Sequence, residues 1–121
     1  MEKYTLVVGA SEKTDRYSNR AVRSLRNSGN SVYALGYREG MIADVPILKG
    51  RPQFANPVHT ITLYLNASRQ EELEDYFLSL KPERIIFNPG AENPRLEKRA
   101  RAEGIICENA CTLVMIATGQ Y

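Results

Sequence analysis

Thr5-Leu6-Val7-Val8-Gly9-Ala10-Ser11 is the stretch that decides the fold. Four β-branched or apolar residues in unbroken succession suit a strand covered on both faces, because a half-exposed strand would alternate apolar with polar. Gly9 ends the run with a residue free to take backbone angles closed to others, and the small Ala10 and Ser11 follow. A strand entering such a turn ahead of a helical stretch is the start of a βα unit.

The rest of the chain repeats that alternation. From about Asn19 to Ser28, Ala21, Val22 and Leu25 form an apolar stripe with Arg20, Arg23 and Arg26 around it, and Gly29 stops the helix. Val32 to Leu35 is a second strand. Gly36 to Pro57 is irregular, with three glycines and three prolines. That is long for a βα connection, with room for a short hairpin or half-turn around Val45-Pro46-Ile47. A third strand is expected from His59 to Leu65. A helix follows from Glu71 to Leu80, with Leu73, Tyr76, Phe77 and Leu80 on one face and Pro82 as its stop. Arg84 to Phe87 is a fourth strand, Pro94 to Ala102 a charged helix closed by Gly104, Ile105 to Cys107 a fifth strand, and Thr112 to Thr118 a final helix. Crossover helices imply parallel strands with helices on both faces. The expectation is an α/β, three-layer Rossmann-like fold with a five-stranded parallel sheet, order 3-2-1-4-5, forming a single domain over residues 1–121. Ligands in such sheets bind at the carboxyl ends of strands one and four, where the winding reverses.

Composition narrows the function classes. The chain has 121 residues, one domain's worth, and a formal net charge of +2 spread along its length. That balance gives no footprint for nucleic acid, so any anion site must be local. No apolar run reaches the ~20 residues needed to cross a bilayer. Met1-Glu2-Lys3-Tyr4 leads straight into the first strand, so no leader and a cytoplasmic location are expected. Cys107 and Cys111, with His59 as the lone histidine, make a poor metal set and read as structural thiols.

The first βα junction carries most of the chemistry. Gly9, Ala10 and Ser11 allow a phosphate close to the main chain, and a helix N-terminus follows, although a tight turn alone would also use these residues. The dinucleotide fingerprint G-x-G-x-x-G is missing, as is the acidic residue that holds ribose hydroxyls after the second strand. Gly36-Tyr37-Arg38 stands there instead. Arg38 suits a phosphorylated ribose, as in NADP or the 3′-phosphate of coenzyme A, since guanidinium pairs with phosphate bidentately. A solvated loop arginine is the other reading. Lys13, Arg16, Ser18, Asn19 and Arg20 favour a polyphosphate over the helix start, with Glu12 and Asp15 interleaved to weaken the field. Tyr37 and Tyr64 suit the flanks of an adenine ring, though Tyr64 would serve equally in the core. Asn88-Pro89-Gly90-Ala91 is a second turn facing the first, where a pantetheine arm or pyrophosphate would pass. No catalytic set emerges: His59 lacks a partner, Ser11 and Ser18 lack a base, and no carboxylate pair stands out.

These residues bear a resemblance. Val7 to Ser11 (V-V-G-A-S), Asp15 to Arg20 (D-R-Y-S-N-R), Gly29 to Tyr33 (G-N-S-V-Y), Asn88 to Ala91 (N-P-G-A) and Glu108 to Val114 (E-N-A-C-T-L-V) are similar, in order and spacing, to the small single-domain CoA-binding proteins and to the nucleotide-binding domain of the succinyl-CoA synthetase alpha chain. The resemblance spans nearly the whole chain. It implies a Rossmann-like fold binding CoA through Gly9, Ala10, Ser11, Ser18, Arg38, Leu65, Asn66 and Gly90, with Pro89 in the same turn as Gly90. Gly36-Tyr37 departs from the Asn-Pro or Ser-Pro pair common in that family, and the phosphohistidine domain of the synthetase is absent. The expected function is a nucleotide-cofactor binding module for coenzyme A or acyl-CoA without catalysis of its own. An NADP-type binding or sensing domain, or a non-catalytic subunit of an acyl-CoA enzyme, is the alternative. Its expected partners are a small nucleotide ligand and a second copy or a partner enzyme, with neither nucleic acid nor membrane.

Overall fold

The structure, a computed structural model, describes residues 2–121. In chain order the elements are β1 (Tyr4–Val8), α1 (Tyr17–Asn27), β2 (Ser31–Leu35), β3 (Gly40–Ile42), β4 (Val45–Leu48), β5 (Val58–Leu63), α2 (Ala67–Gln70), α3 (Glu74–Ser79), β6 (Arg84–Phe87), α4 (Pro94–Ala102), β7 (Ile106–Asn109) and α5 (Thr112–Ala117). They form one sheet of seven strands in the order β3-β4-β2-β1-β5-β6-β7, parallel throughout except for β3.

The Rossmann-like class holds, and the expected five-stranded sheet does not. The stretch from Gly36 to Pro57 contributes two further strands, and β4 takes the place beside β2 that order 3-2-1-4-5 gave to the segment His59 to Leu65. That segment, as β5, instead pairs with β1 on the other side. Counting parallel strands alone, the order is 3-2-1-4-5-6, with β4 as the third. The reason lies in β4 itself. It has four residues, one of them a proline, and only Ile47 and Leu48 pair with β2, opposite Ala34 and Leu35. Pro46 lies opposite Met41 of β3, outside the parallel ladder it would interrupt. Two residues, Ala43 and Asp44, turn the chain between β3 and β4, with Ala43 at φ 53°.

Other boundaries moved for local reasons. The helix expected from Glu71 begins at Ala67, because Asn66 caps it by accepting from the Arg69 amide at 3.0 Å. It is interrupted by a 3-10 turn, Glu71–Leu73, before α3. The first helix starts two residues early, at Tyr17, and the last strand runs on to Asn109.

The core has two layers, one on each face of the sheet. Leu6, Val8, Ile61, Leu63, Ile85 and Phe87 pack against Phe77 and Leu78 of α3 and Leu96 and Ala100 of α4. Val7, Ala34 and Ile47 pack on the other face against Val22 and Leu25 of α1 and Ile116 of α5. Each fully buried Leu, Ile or Phe contributes about 1.5–3 kcal/mol by leaving water. No helix joins β4 to β5. Residues 49–57 run as an irregular segment over the face that carries α3 and α4, moored by Phe54 stacked on Tyr33 with ring centroids 4.2 Å apart, and the Tyr33 ring in turn lies 4.5 Å from that of Tyr4.

Candidate functional site

The ends of β1, β2 and β5 meet at the switch point. Gly9 takes φ 91°, and a Cβ placed on it would lie 3.2 Å from both the Leu65 side chain and the Tyr64 carbonyl carbon. Glycine here lets the chain after β5 press against the chain after β1. The Gly9 and Ala10 amides both donate to the Leu35 carbonyl, at 2.9 and 3.0 Å, so neither faces outward. The Ser11 carbonyl accepts from Asn19 Nδ2 at 2.8 Å, tying the loop to α1. Glu12 turns away to accept from the Met41 amide at 2.9 Å.

Above this junction lies a groove of about 350 Å³ lined by Gly9, Ala10, Ser11, Lys13, Arg16, Tyr37, Arg38, Tyr64, Leu65 and Arg69. Four cations line it and no carboxylate does. None of Lys13, Arg16, Arg38 and Arg69 forms an ion pair among the described residues. Arg69 lies 5.7 Å from the ring centroid of Tyr37, so the two walls touch by a cation–π contact. The first turn of α1 carries no acidic residue and its N-cap, Arg16, makes no side-chain bond to it, leaving its positive end uncompensated beside the groove.

Tyr64 also lines a second, apolar cleft of about 230 Å³, shared with Tyr17, Asn88, Pro89, Cys111 and Leu113. The two spaces therefore adjoin across one tyrosine. The floor of the cleft is held by Asn88, whose Nδ2 donates to Thr62 Oγ1 at 2.7 Å and to the Leu63 carbonyl at 2.9 Å. Its Oδ1 accepts from the Thr112 amide at 2.8 Å. Behind both spaces, buried Gln70 donates to the carbonyls of Leu65 and Ala91, at 2.7 and 2.8 Å, and so joins the loops after β5 and β6. Asn93 Nδ2 bonds both Gln70 and Glu74, and Arg95 and Arg99 also reach Glu74. Burial pushes the Glu74 carboxyl up, but the bonds from Arg95 and Asn93 outweigh it and hold it below the ordinary range.

Of the residues singled out in the sequence, Gly9, Ala10, Ser11, Lys13, Arg16, Tyr37, Arg38, Tyr64 and Leu65 come together in the groove, and Pro89 lines the cleft. Others have different surroundings. Ser18 and Asn19 are buried in α1, with Asn19 Oδ1 accepting from Arg23. Arg20 extends over the Tyr17 ring, 5.6 Å from its centroid. Asn66 is the cap of α2, and the Gly90 amide donates to Glu92 at 2.9 Å. His59 is at the opposite end of β5, 2.9 Å from Glu83. Arg69 escaped notice because its helix was placed too late. An Asn-x-x-Arg beginning one residue after Leu65, read as a capped first turn, would have found it.

The fold and this cation-lined junction define the class: a Rossmann-like α/β domain with its candidate site at the switch point. A family model for the CoA binding domain matches residues 3–117, and the chain belongs to that family. The chain is similar over its full length, at 39% identity and a TM-score of 0.94, to an uncharacterized protein of known crystal structure, 99% of which is covered. A hypothetical protein from Pyrococcus horikoshii OT3 matches 97% of this chain and is covered to 83%, at 19% identity and a TM-score of 0.87. The dinucleotide-forming acetyl-coenzyme A synthetase 1 of Ca. Korarchaeum cryptofilum matches 89% of this chain with 25% of its own, at 16% identity and a TM-score of 0.73, which is a likeness of fold. No curated protein matches the chain.

Proposed function

We propose that the chain is a binding module for coenzyme A or an acyl-CoA. In this reading the phosphates lie among Lys13, Arg16, Arg38 and Arg69, Tyr37 flanks the adenine, and the pantetheine arm passes Tyr64 into the apolar cleft. The observation that carries it is the juxtaposition of four cations free of carboxylate partners with an adjoining apolar space. A ligand with a polyanionic end and a slender uncharged end matches both. Family membership supports the same ligand class. The module is assigned no reaction of its own, and acyl chemistry would fall to a partner enzyme.

Titration of the protein with CoA, dephospho-CoA, NADP and NAD tests the reading. CoA is expected to bind most tightly, and at one hundred times its dissociation constant to add about 2.7 kcal/mol to stability in a melting scan. Arg38→Ala should weaken CoA about ten- to a hundredfold, the loss of one charge-assisted contact, while leaving dephospho-CoA almost unchanged. Parallel losses with both ligands would remove Arg38 from 3′-phosphate recognition. Tighter binding of NADP than of CoA would replace this reading with an NADP-type site.

A further inference from the structure

We infer that Glu12 is a positioning residue of the site: its carboxylate, seated on the main chain of Gly40 and Met41, poses the loop after β2 so that Arg38 rather than Glu39 faces the groove, an inference that rests on the CoA reading above. Tyr37, Arg38 and Glu39 lie between two glycines, and both glycines pack on the loop after β1. Gly36 is pressed to Ala10, where a Cβ would fall 2.4 Å from the carbonyl oxygen, and its amide donates to the Leu48 carbonyl at 2.9 Å. Gly40 is pressed to Glu12, where a Cβ would fall 2.4 Å from the carboxylate carbon. Glu12 Oε2 accepts from the Met41 amide at 2.9 Å. Since β3 is an edge strand, the carboxylate takes an amide that has no strand beyond it. No ion pair engages Glu12 among the described residues.

The pose matters because neighbours in this loop carry opposite charges. Tyr37 and Arg38 line the groove and Glu39 does not. A loop free to roll by one residue would put a carboxylate where the phosphate lies, and like charges there repel. The two anchors hold different ends. Gly36, main chain on main chain, adjoins Tyr37. Arg38 lies two residues from Gly40, at the end held by the Glu12 side chain through a charge-assisted bond. The same seat turns the charge of Glu12 away from the groove, which no carboxylate lines.

Calorimetry with CoA and dephospho-CoA on the wild type, Glu12→Ala and Glu12→Gln tests this, together with amide exchange of all three proteins without ligand. Glutamine keeps an oxygen to accept from Met41 and alanine does not. Glu12→Ala is expected to lower the preference for CoA over dephospho-CoA about three- to tenfold and to speed exchange over residues 37–42, while Glu12→Gln keeps most of both. In an Arg38→Ala background, Glu12→Ala should leave that preference where Arg38→Ala alone puts it, because the effect runs through Arg38. Were Glu12 only a negative charge beside a polyanion, both variants would bind both ligands more tightly with the preference kept, which overturns the inference. An unchanged preference in Glu12→Ala also overturns it, as does an equal loss in both variants. A wild type without preference for CoA removes the CoA reading instead, and exchange then decides the seat alone. Rates raised by alanine and restored by glutamine retain it, and unchanged rates remove it.

Discussion

Gly36 shows how little room a single residue has at this junction. A Cβ built on it would lie 2.4 Å from the Ala10 carbonyl oxygen, which is main chain and cannot swing aside. Gly36 is therefore a close-approach glycine, and the same closeness lets Leu35 accept from both Gly9 and Ala10. Gly36→Ala should part the ends of β1 and β2 and lower stability by about 1–3 kcal/mol, as overpacking does. Urea titration measures the loss, and a variant within 0.5 kcal/mol of the wild type (about the scatter of neutral substitutions) would mean the junction yields. Gly40 is confined differently, since the Glu12 carboxylate occupies the space a Cβ would need, 2.4 Å away. A flexible side chain can move, so alanine there is expected to be milder.

Among the elements, the segment 49–57 is unusual, because an irregular chain covers a sheet face where a helix would otherwise cross. Its hold is aromatic. Phe54 stacks on Tyr33, the Asn56 amide donates to the Tyr33 hydroxyl at 3.3 Å, and the Pro52 carbonyl accepts from the Tyr76 hydroxyl. Phe54→Ala removes the central ring and should cost about 2 kcal/mol, less than a fully buried phenylalanine because Phe54 is only partly buried. Amide exchange should rise over 49–57 while β1 and β5, paired to each other, stay protected. Exchange rising equally in all strands would mean that the segment and the sheet open as one unit.

For the molecule as a whole, the perturbed groups set limits on both sides of neutrality. Burial pushes the Tyr64 and Tyr76 phenols up to about 12, so each favours the folded state below its unfolded value near ~10 and loses that contribution as pH rises toward 12. Burial also lowers His59, against the pull of Glu83, so its contribution is complete above ~6.5 and declines as pH falls through that value. Glu74 is held low, and its contribution is lost only at lower pH still. Burial raises the Cys107 thiol as well, so melting temperature is expected to be flat between about pH 7 and 8 and to fall on both sides, the alkaline fall starting near the ordinary thiol value of ~8.5. His59→Gln should remove the onset near ~6.5 and leave the alkaline fall unchanged. An acid onset indifferent to this substitution would assign it to other groups.

The amino-acid order alone determined the alternation of strands and helices, the double-sided sheet and the first junction. Each of those follows from neighbours in sequence: the unbroken Thr5 to Val8 run, the apolar stripe of α1, the glycine at position 9. Nine of the residues picked from the sequence do line one groove, for the same reason, since a strand end and the turn after it stay together in any fold. Tertiary structure decided what depends on distant contacts. The side of β1 on which β5 pairs, and the use of a proline-containing β4 as the third parallel strand, come from whole faces packing and leave no periodicity to read. The pairing of Arg69 with Tyr37 across the groove and the burial of Asn19 are likewise facts of proximity, because burial and hydrogen bonding depend on which surfaces meet.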